Sequence, residues 1–270
     1  MGRTARRRVL RIRGDVREHR ADALAVEEPL EIRVDGRPLA VTMRTPGDDY
    51  ELIAGYLLAE GVAAAAGDIA VMRYCTTRPD AEGENVVQVT LGPGVAPPPE
   101  SAYRAVLTTA ACGVCGKSSL DAVRTATRWP VADDPVTVPA GLLRTLPDAL
   151  RAGQTVFART GGLHGAGLFT ASGELLCVRE DVGRHNAVDK VVGWALLDGR
   201  VPLRGTVLQV SGRASFELAQ KAVMAGVPVL SAVSAPSSLA VDLAEETGLT
   251  LAGFVRGDAM NVYAGAHRIT

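Results

Sequence analysis

Apolar and polar residues alternate along segment 29–46, around a turn signal at Asp35 and Gly36. A period of two with such a turn is typical of a β-hairpin. The next segment, 48–62, has an acidic start and apolar residues at helical spacing, and Gly61 follows its last turn. This pattern predicts a helix that ends near Gly61. We therefore expect an antiparallel pair of strands followed directly by a helix.

Two further apolar stretches, 68–75 and 85–91, are predicted to form strands separated by a polar turn. The segment 91–101 follows them and is rich in glycine and proline, which is typical of a linker or a long loop. We place an internal domain boundary there. The predicted divisions are a basic N-terminal tail (1–26), a smaller N-terminal α+β subdomain (27–100) and an α/β domain (101–270).

A more regular pattern begins at His164, after predicted helical regions at 118–129 and 136–153. Strands and helices then alternate to the end of the last strand-like segment. The predicted strands are 164–171, 173–180, 205–212, 227–234 and 250–257, and the predicted helices are 184–199, 216–226 and 237–248. The first two strands are predicted to pair through a turn at Ser172 and Gly173. Alternation at this spacing favours the α/β class, with a largely parallel sheet that helices cover on both faces.

Length and charge limit the classes of function. The chain has 270 residues, 47% of them apolar, a formal net charge of -1 and a pI near 6.4. Such a chain lacks the overall positive field that nucleic-acid binders use, so we expect no nucleic-acid partner. No stretch approaches the roughly 20 apolar residues that span a bilayer, so we expect no membrane association.

The N-terminal segment 1–14 is basic, but neither an apolar region nor a small-residue cleavage site follows it. This argues against a secretory signal. We interpret the segment as part of a frayed tail. The expected location is cytoplasmic.

The chain is too poor in cysteine for a disulfide scaffold, and we expect its thiols to be reduced. The four cysteines are Cys75, Cys112, Cys115 and Cys177. Cys75 and Cys177 lie in apolar, strand-like segments and are expected to be buried core thiols.

Cys112 and Cys115 lie three residues apart in the sequence CGVCG, just ahead of a predicted helix. A helix N-terminus favours anions and Lys117 adds a positive charge, so both should lower the pKa of a nearby thiol. The glycines at 113 and 116 permit a mobile or tightly turned loop. The segment is therefore suited to nucleophilic chemistry.

The spacing of these two cysteines leaves other interpretations open. Half of a zinc site would need two more ligands, and His164, His185 or Cys177 would have to supply them. A thioredoxin-like redox pair normally follows the first strand, whereas this pair lies far along the chain. A third interpretation is that the two cysteines are simply small residues with a structural role. Because four ligands cannot be assembled from the motifs alone, we predict no permanently held metal.

The segment REDVGRHNAVDK places several polar residues at a strand end and on the helix that follows. They are Arg179, Asp181, Arg184, His185, Asn186, Asp189 and Lys190. Ligands bind at the carboxyl ends of strands in open α/β sheets, and helix N-termini bind phosphates. We predict that this cluster holds a pyrophosphate or a guanine. His185 is the strongest candidate for contact with the ligand. The alternative is that it is a surface or helix-capping histidine.

A second candidate phosphate loop is SGRASFE, which lacks the full glycine pattern of a P-loop. Its polar residues are Ser211, Gly212 and Arg213, followed by a helix that carries Lys221. His164, between glycines at the start of a strand, could contact a ligand or simply pack.

After the last strand, Arg256 could bind a phosphate, and Asp258 and Asn261 could accept hydrogen bonds from a guanine edge. Lysine occurs only at Lys117, Lys190 and Lys221, one in each of the three polar segments outside this loop. An ammonium could act there in ways that a guanidinium cannot.

Six blocks of the sequence, in order, resemble the FdhD family. They are PLEIRVDGRPLAVTMRTPGDDYELIAGYLLAEG, TTAACGVCGKSSLD, GGLHGAGLF, LCVREDVGRHNAVDKVVGWAL, VSGRASFELAQKA and FVRGDAMNVY. The resemblance covers nearly the whole chain from about residue 27, and only the basic N-terminal segment lies outside it. Members of this family are sulfurtransferases required for formate dehydrogenase activity.

The resemblance implies a protein that accepts sulfur from a cysteine desulfurase as a cysteine persulfide. The sulfur then passes to the molybdenum bis(molybdopterin guanine dinucleotide) cofactor, a bound substrate that is later inserted into apo formate dehydrogenase. Cys112 matches the persulfide position and Cys115 its partner, so both are expected to be catalytic. A cytidine-deaminase-like fold and a homodimer are also implied.

The resemblance also assigns cofactor binding to the segment Phe254, Val255, Arg256, Gly257, Asp258 and Ala259, to which we add Arg184 and His185. One alternative is a cofactor-binding chaperone for formate dehydrogenase that moves no sulfur. A zinc deaminase would need a His-x-Glu and a Pro-Cys-x-x-Cys motif, and the sequence contains neither.

Overall fold

Strands of three β-sheets and several helices make up the described part of the chain. The computed structural model describes residues 2–75, 85–99, 103, 107–108 and 127–270. The strands are β1 (Thr4–Arg13), β2 (Val16–Ala25), β3 (Glu28–Val34), β4 (Arg37–Arg44), β5 (Ile69–Tyr74), β6 (Val86–Leu91), β7 (Leu107–Thr108), β8 (His164–Thr170), β9 (Leu175–Asp181), β10 (Thr206–Val210), β11 (Val229–Ala232), β12 (Thr250–Arg256) and β13 (Ala259–Ala264).

The helices connect and cover these strands. They are α1 (Asp49–Ala59), α2 (Ala140–Leu143), α3 (Leu146–Gly153), α4 (Thr155–Thr160), α5 (Arg184–Leu197), α6 (Phe216–Met224) and α7 (Ser238–Thr247), with 3-10 turns at Ala66–Asp68 and Ala266–Arg268. Within the described ranges, no helix has the length and apolar character needed to cross a membrane.

The N-terminal half follows its sequence pattern. β3 and β4 form an antiparallel hairpin, and Asp35 and Gly36 at its turn both have positive φ. α1 ends just before Gly61, whose φ of 73° is the left-handed conformation that favours glycine after a helix. The five-stranded sheet has the order β5-β6-β3-β4-β7. The predicted hairpin, helix and two following strands are therefore confirmed.

The C-terminal half is built on a six-stranded sheet with the order β13-β12-β11-β10-β8-β9. Only β10, β11 and β12 are mutually parallel, and the other neighbours pair antiparallel. The prediction of a largely parallel sheet was wrong because short turns join β8 to β9 and β12 to β13, and such turns produce antiparallel neighbours. The short strand β13 and the helix α4 were not predicted.

Helices cover both faces of this sheet, as the α/β class requires. Val207, Val229 and Ala252 pack with residues of α2 and α3 on one face. Their chain neighbours Leu208 and Leu230 pack with residues of α5, α6 and α7 on the other. The predicted α/β class is confirmed.

Backbone contact between α1 and α5 joins the two halves. A Cβ atom on Gly193 would lie 1.7 Å from the carbonyl oxygen of Glu51, and one on Gly55 would lie 2.0 Å from the carbonyl oxygen of Asp189. Only glycine permits so close a crossing. The boundary predicted near residue 100 remains a prediction, and β7 beyond it pairs with β4 of the N-terminal sheet.

The segment that we interpreted as a frayed tail is an ordered antiparallel ribbon. β1 and β2 pair along their whole length, and Gly14 at the connecting turn has a φ of 58°. The ribbon is tied to the body at its base, where Val26 donates a backbone hydrogen bond to Arg3. The alternation went unrecognised because arginine occupies many of the positions that are apolar in an ordinary strand.

Candidate functional site

A cleft lies at the edge of the six-stranded sheet where the three parallel strands end. Its volume is about 640 Å³. Residues at or next to strand ends form one wall: His164, Val182, Ser211, Val233, Arg256 and Gly257. The segment that contains α3 and α4 forms the other wall: Arg144, Pro147, Asp148, Leu150, Arg151, Gln154, Phe157, Gly161, Gly162 and Leu163. The cleft thus occupies the position at which open α/β sheets bind their ligands.

The walls of the cleft carry more positive than negative charge. Arg144 donates a 2.6 Å hydrogen bond to the backbone oxygen of Asp258, and Arg151 stacks 3.7 Å over the ring centre of Phe157. The side chain of Arg256 makes no hydrogen bond or ion pair with any described residue, so its guanidinium is available to a ligand. Asp148 is the one acidic side chain among the lining residues of the described chain. An anionic ligand is therefore the favoured occupant.

An irregular stretch of β12 presents Arg256 to the cleft. The pairing with β13 shifts between Gly253 and Arg256, and Phe254 has a φ of 53°. Positive φ is unusual for a large side chain and marks strain that the surrounding structure must hold. The backbone at Phe254 is held by its hydrogen bond to the carbonyl of Ser234.

The predicted binding segment 254–259 divides at this irregularity. Val255 is fully buried in the core, so its side chain faces away from the cleft. Arg256 and Gly257 line the cleft, while Asp258 and Ala259 are exposed in the turn beyond it. Asn261 lies on β13 with its amide 3.4 Å from the hydroxyl of Tyr263. The structure therefore brings Arg256 and Gly257 into the cleft wall.

The polar cluster 179–190 contains two kinds of residue. Most of its members make hydrogen bonds and ion pairs inside the protein. Asp181 accepts hydrogen bonds from the backbone of Thr45 and Gly183 and from the Asn186 amide, and it pairs with Lys190 at 2.8 Å. These groups were predicted to face a ligand. Instead their hydrogen bonds and ion pair lie within the protein. Through the bond from Thr45 they connect the N-terminal half to the end of β9.

Two other members of that cluster make internal ion pairs as well. Arg179 makes a bidentate ion pair with Glu51 on α1. Lys221 donates a 2.6 Å hydrogen bond to Asp189, and burial raises the pKa of Asp189 although Lys221 opposes the rise. Lys221 is therefore turned away from the loop that was predicted to bind phosphate.

Arg184 and His185 remain as candidates at the first turn of α5. The Nε atom of Arg184 is buried and has no hydrogen-bond partner among the described residues. His185 Nε2 lies 3.3 Å from Ser215 Oγ and 3.7 Å from Glu217 Oε2. The interaction with His185 lowers the pKa of Glu217 to about 2. An unpaired buried guanidinium nitrogen is costly, and an anion at this helix N-terminus would satisfy it.

His164 lies on the cleft wall, so the structure favours the ligand-contact interpretation over simple packing. Its pKa is lowered from the ordinary value by burial, and then by the positive charges of Arg184 and His185. A Cβ atom on Gly212 would lie 3.4 Å from His164 Nδ1, an ordinary van der Waals distance, so Gly212 packs directly beside the imidazole. Ser211 beside it accepts a 2.9 Å hydrogen bond from the backbone of Gly165.

The catalytic prediction for Cys112 and Cys115, with Lys117, lies outside the described residues. The two other thiols are described. Cys177 is buried, as predicted, and burial raises its pKa to about 12. Cys75 follows β5 and is half-buried, so the prediction of a core thiol is not met there.

Sequence reasoning missed the wall of the cleft that α3 and α4 provide. α4 is only six residues long and no strand signal precedes it. The available signal was the pair Gly161 and Gly162, since Gly161 ends α4 with a φ of 66°. Arg144, Arg151 and Phe157 were consequently not among the predicted site residues.

Comparisons with known proteins agree over almost the full chain. Residues 25–270 match the model of the FdhD/NarQ family. The sulfur carrier protein FdhD of Streptomyces coelicolor is 63% identical over 273 residues, covering 100% of this chain and 97% of that protein. The protein of the same description from Mycobacterium tuberculosis is 58% identical over 272 residues, covering 99% of each chain.

A solved structure has the same fold. The crystal structure of a formate dehydrogenase accessory protein from Desulfotalea psychrophila superposes with a TM-score of 0.77 at 25% sequence identity. The match covers 100% of both chains.

Proposed function

The chain belongs to the FdhD/NarQ family, and on this premise we propose that it is a cytoplasmic sulfur carrier for formate dehydrogenase. In this role it takes sulfur from a cysteine desulfurase onto Cys112 and passes the sulfur to the guanine-dinucleotide form of the molybdenum cofactor. The observation that carries the proposal is the combination of the CGVCG segment with a positively charged cleft at the sheet edge.

The first step is a thiolate exchange. The Cys112 thiolate attacks the terminal sulfur of the persulfide on the desulfurase. A sulfur-sulfur bond forms on Cys112, the sulfur-sulfur bond of the donor breaks, and the donor cysteine leaves as a thiolate. No external oxidant or reductant is needed, because the oxidation state of the transferred sulfur does not change.

The second step requires two electrons, because a persulfide sulfur must leave as sulfide. Cys115, three residues from Cys112, can supply them by attacking the inner sulfur. A disulfide between Cys112 and Cys115 then forms and hydrosulfide leaves for the molybdenum centre. An added dithiol returns the pair to the reduced state. This scheme gives the two cysteines different functions.

The cleft would hold the nucleotide part of the cofactor during this transfer. Arg256 lines the cleft and could pair with a phosphate. Arg184 is not a lining residue but lies two residues after Val182, which is, and its Nε is a buried donor that lacks a partner in the described chain. The N-termini of α5, α6 and α7 begin next to the same sheet edge and favour negative charge. The residues present therefore fit a dianionic or more highly charged nucleotide. In this scheme the protein acts as a homodimer and delivers the cofactor to apo formate dehydrogenase.

Mass spectrometry after incubation with a cysteine desulfurase and cysteine tests the proposal. We expect an adduct one sulfur heavier, mapped to Cys112 and absent from the Cys112→Ser variant. The same variant should fail to activate formate dehydrogenase. If it activates the enzyme as well as the wild type does, the protein acts as a cofactor chaperone that moves no sulfur.

A further inference from the structure

The ribbon of β1 and β2 carries much of the positive charge of the chain. Residues 4–25 contain seven arginines and three carboxylates, a formal charge of +4 in a chain of net charge -1. Ten residues in each strand give the ribbon a length of about 30 Å. An isolated two-stranded ribbon is marginally stable in water, so an arm of this length is best explained by a partner that covers it.

The pairing register separates the charges between the two faces. Cross-strand partners share a face. One face, which we call the acid-free face, consists of Thr4, Arg6, Arg8, Leu10, Ile12, Arg17, His19, Ala21, Ala23 and Ala25. The opposite face consists of Ala5, Arg7, Val9, Arg11, Arg13, Val16, Glu18, Arg20, Asp22 and Leu24. Carboxylates therefore occur on one face only.

The arginines of the two faces differ in their partners. On the opposite face Arg20 pairs with Asp22 at 3.2 Å and Arg11 lies 3.9 Å from Glu18, while Arg7 and Arg13 form no ion pair with any described residue. On the acid-free face Arg6, Arg8 and Arg17 form no ion pair with any described residue. Unneutralised arginine attracts an acidic surface, while arginine already paired with a carboxylate does so less.

Exposed aliphatic residues indicate the kind of macromolecule that fits the acid-free face. Leu10 is 47% exposed and Ile12 57% exposed, and they lie between the arginines. The ribbon contains no phenylalanine, tyrosine or tryptophan on which a base could stack. Arginine around an aliphatic centre is typical of protein interfaces. The chemistry therefore favours an acidic protein surface with an apolar centre over a nucleic acid.

The base of the acid-free face adjoins the cleft. A Cβ atom on Gly162, which lines the cleft, would lie 3.5 Å from the Ala25 side chain. Arg159 of α4 donates a 3.1 Å hydrogen bond to Thr4, the cross-strand partner of Ala25. A protein bound along this face would therefore reach α4 and the mouth of the cleft.

We propose that the acid-free face of the ribbon docks an acidic surface of the protein that receives the cofactor from the cleft. This inference rests on the proposed function, which makes apo formate dehydrogenase the receiving protein. The family match begins at residue 25, beyond most of the ribbon. In this proposal the ribbon contributes to docking, while sulfur loading and nucleotide binding depend on residues outside the ribbon.

Biolayer interferometry of the full chain with purified apo formate dehydrogenase from the same organism tests the docking. Arg6→Gln/Arg8→Gln/Arg17→Gln should weaken binding about tenfold, because several arginines at the centre of an interface contribute most of its affinity. The matched control, Arg7→Gln/Arg11→Gln/Arg13→Gln, removes the same charge from the opposite face and should change binding less than about threefold. Arg6→Lys/Arg8→Lys/Arg17→Lys keeps the charge and should retain most of the affinity.

Several outcomes would overturn the inference. They are equal losses in both glutamine variants, no binding of apo formate dehydrogenase by the wild type, and a charge-dependent change only in self-association or in binding of a double-stranded DNA probe. Persulfide loading of Cys112 and guanosine diphosphate binding should be unchanged in every ribbon variant. If the wild type loads no sulfur, the proposed function fails. If it loads sulfur and the acid-free variant still binds and activates the dehydrogenase normally, only the docking inference fails.

Discussion

The ammonium of Lys190 lies 2.8 Å from a carboxylate oxygen of Asp181, and both side chains are almost fully buried. Lys190 also donates a 2.9 Å hydrogen bond to the carbonyl oxygen of Thr45, and the Thr45 backbone donates to Asp181. The pair therefore fastens the connection after β4 to the end of β9. Val182, which follows Asp181, lines the cleft, so the ion pair also positions one wall of the site.

Lys190→Met should destabilise the protein by about 3–5 kcal/mol, because it leaves the Asp181 carboxylate buried without its counter-charge. Chemical denaturation measures the loss. The double variant Asp181→Asn/Lys190→Met should recover part of it, since a neutral amide is less costly to bury. A single-variant loss below about 1 kcal/mol would show that Asp181 does not depend on Lys190.

Gly193→Ala should destabilise the protein by at least 1–3 kcal/mol, the approximate cost of overpacking a close contact. The new Cβ would lie 1.7 Å from the backbone oxygen of Glu51, which cannot move without separating α1 from α5. Gly141→Ala is the matched control, because the nearest atom there is the flexible end of Arg144 at 4.0 Å. That helical substitution should be neutral or stabilising by up to about 1 kcal/mol. Equal thermal stability of both variants would contradict the close crossing.

Arg256→Ala should weaken guanosine diphosphate binding by roughly 1.5–3 kcal/mol, the value of a charged hydrogen bond to phosphate. Binding should also weaken with added salt. Asp258→Asn is a control, since Asp258 is exposed and outside the cleft lining. Isothermal titration calorimetry of both variants measures the difference. Unchanged affinity in Arg256→Ala would remove this loop from the nucleotide site.

Arg184→Gln should raise the pKa of His164, because the positive charge of Arg184 helps to lower it. Nuclear magnetic resonance titration of the imidazole protons measures the change directly. Arg213→Gln is a control for the loss of one positive charge, because Arg213 is not among the groups that lower this pKa. A larger change in Arg213→Gln than in Arg184→Gln would contradict the arrangement.

The lowered pKa of His164 also predicts a pH dependence of stability. The unfolded chain binds the proton near the ordinary pKa of 6.5, and the folded chain binds it only at lower pH. Protons therefore favour the unfolded state as the pH falls below 6.5, and the free energy of unfolding should decrease there. His164→Gln should show a smaller decrease in that range when urea denaturation is repeated across pH. An identical decrease in the variant would assign it to other groups.

The sequence predicted the elements whose apolar pattern is regular. The hairpin at Asp35 and Gly36 and the alternating strands and helices after His164 are all present. The ribbon was missed because arginine interrupts its alternation, and α4 was missed because it is short. The pairing of β8 with β9 through the turn at Ser172 and Gly173 was predicted and is confirmed. The antiparallel pairing of β12 with β13 was not predicted, because β13 itself went unrecognised.

The predicted ligand site stays a prediction, but the strand ends on which it was based lie at the edge of the sheet where the cleft is found. Arg256 and His164 line the cleft there. Asp181 and Lys190 were assigned to a ligand although they serve each other. In the sequence, a polar residue that pairs with a ligand cannot be distinguished from one that pairs with a buried charged side chain. Thr45, which bonds to both Asp181 and Lys190, is also distant from them in the chain.

Cys177 should be inert towards iodoacetamide in the native protein, whereas Cys112 should react. The pKa of Cys177 is raised to about 12, so at pH 8 almost none of it is the reactive thiolate, and the side chain is also buried. Alkylation followed by peptide mapping distinguishes the thiols, with denatured protein as the control in which Cys177 reacts.

Cys177→Ser should keep sulfur loading. Cys115→Ser should load Cys112 but release sulfide slowly, because the thiol that attacks the persulfide is gone. Rapid modification of native Cys177, or loss of loading in Cys177→Ser at unchanged stability, would place that thiol in the transfer path.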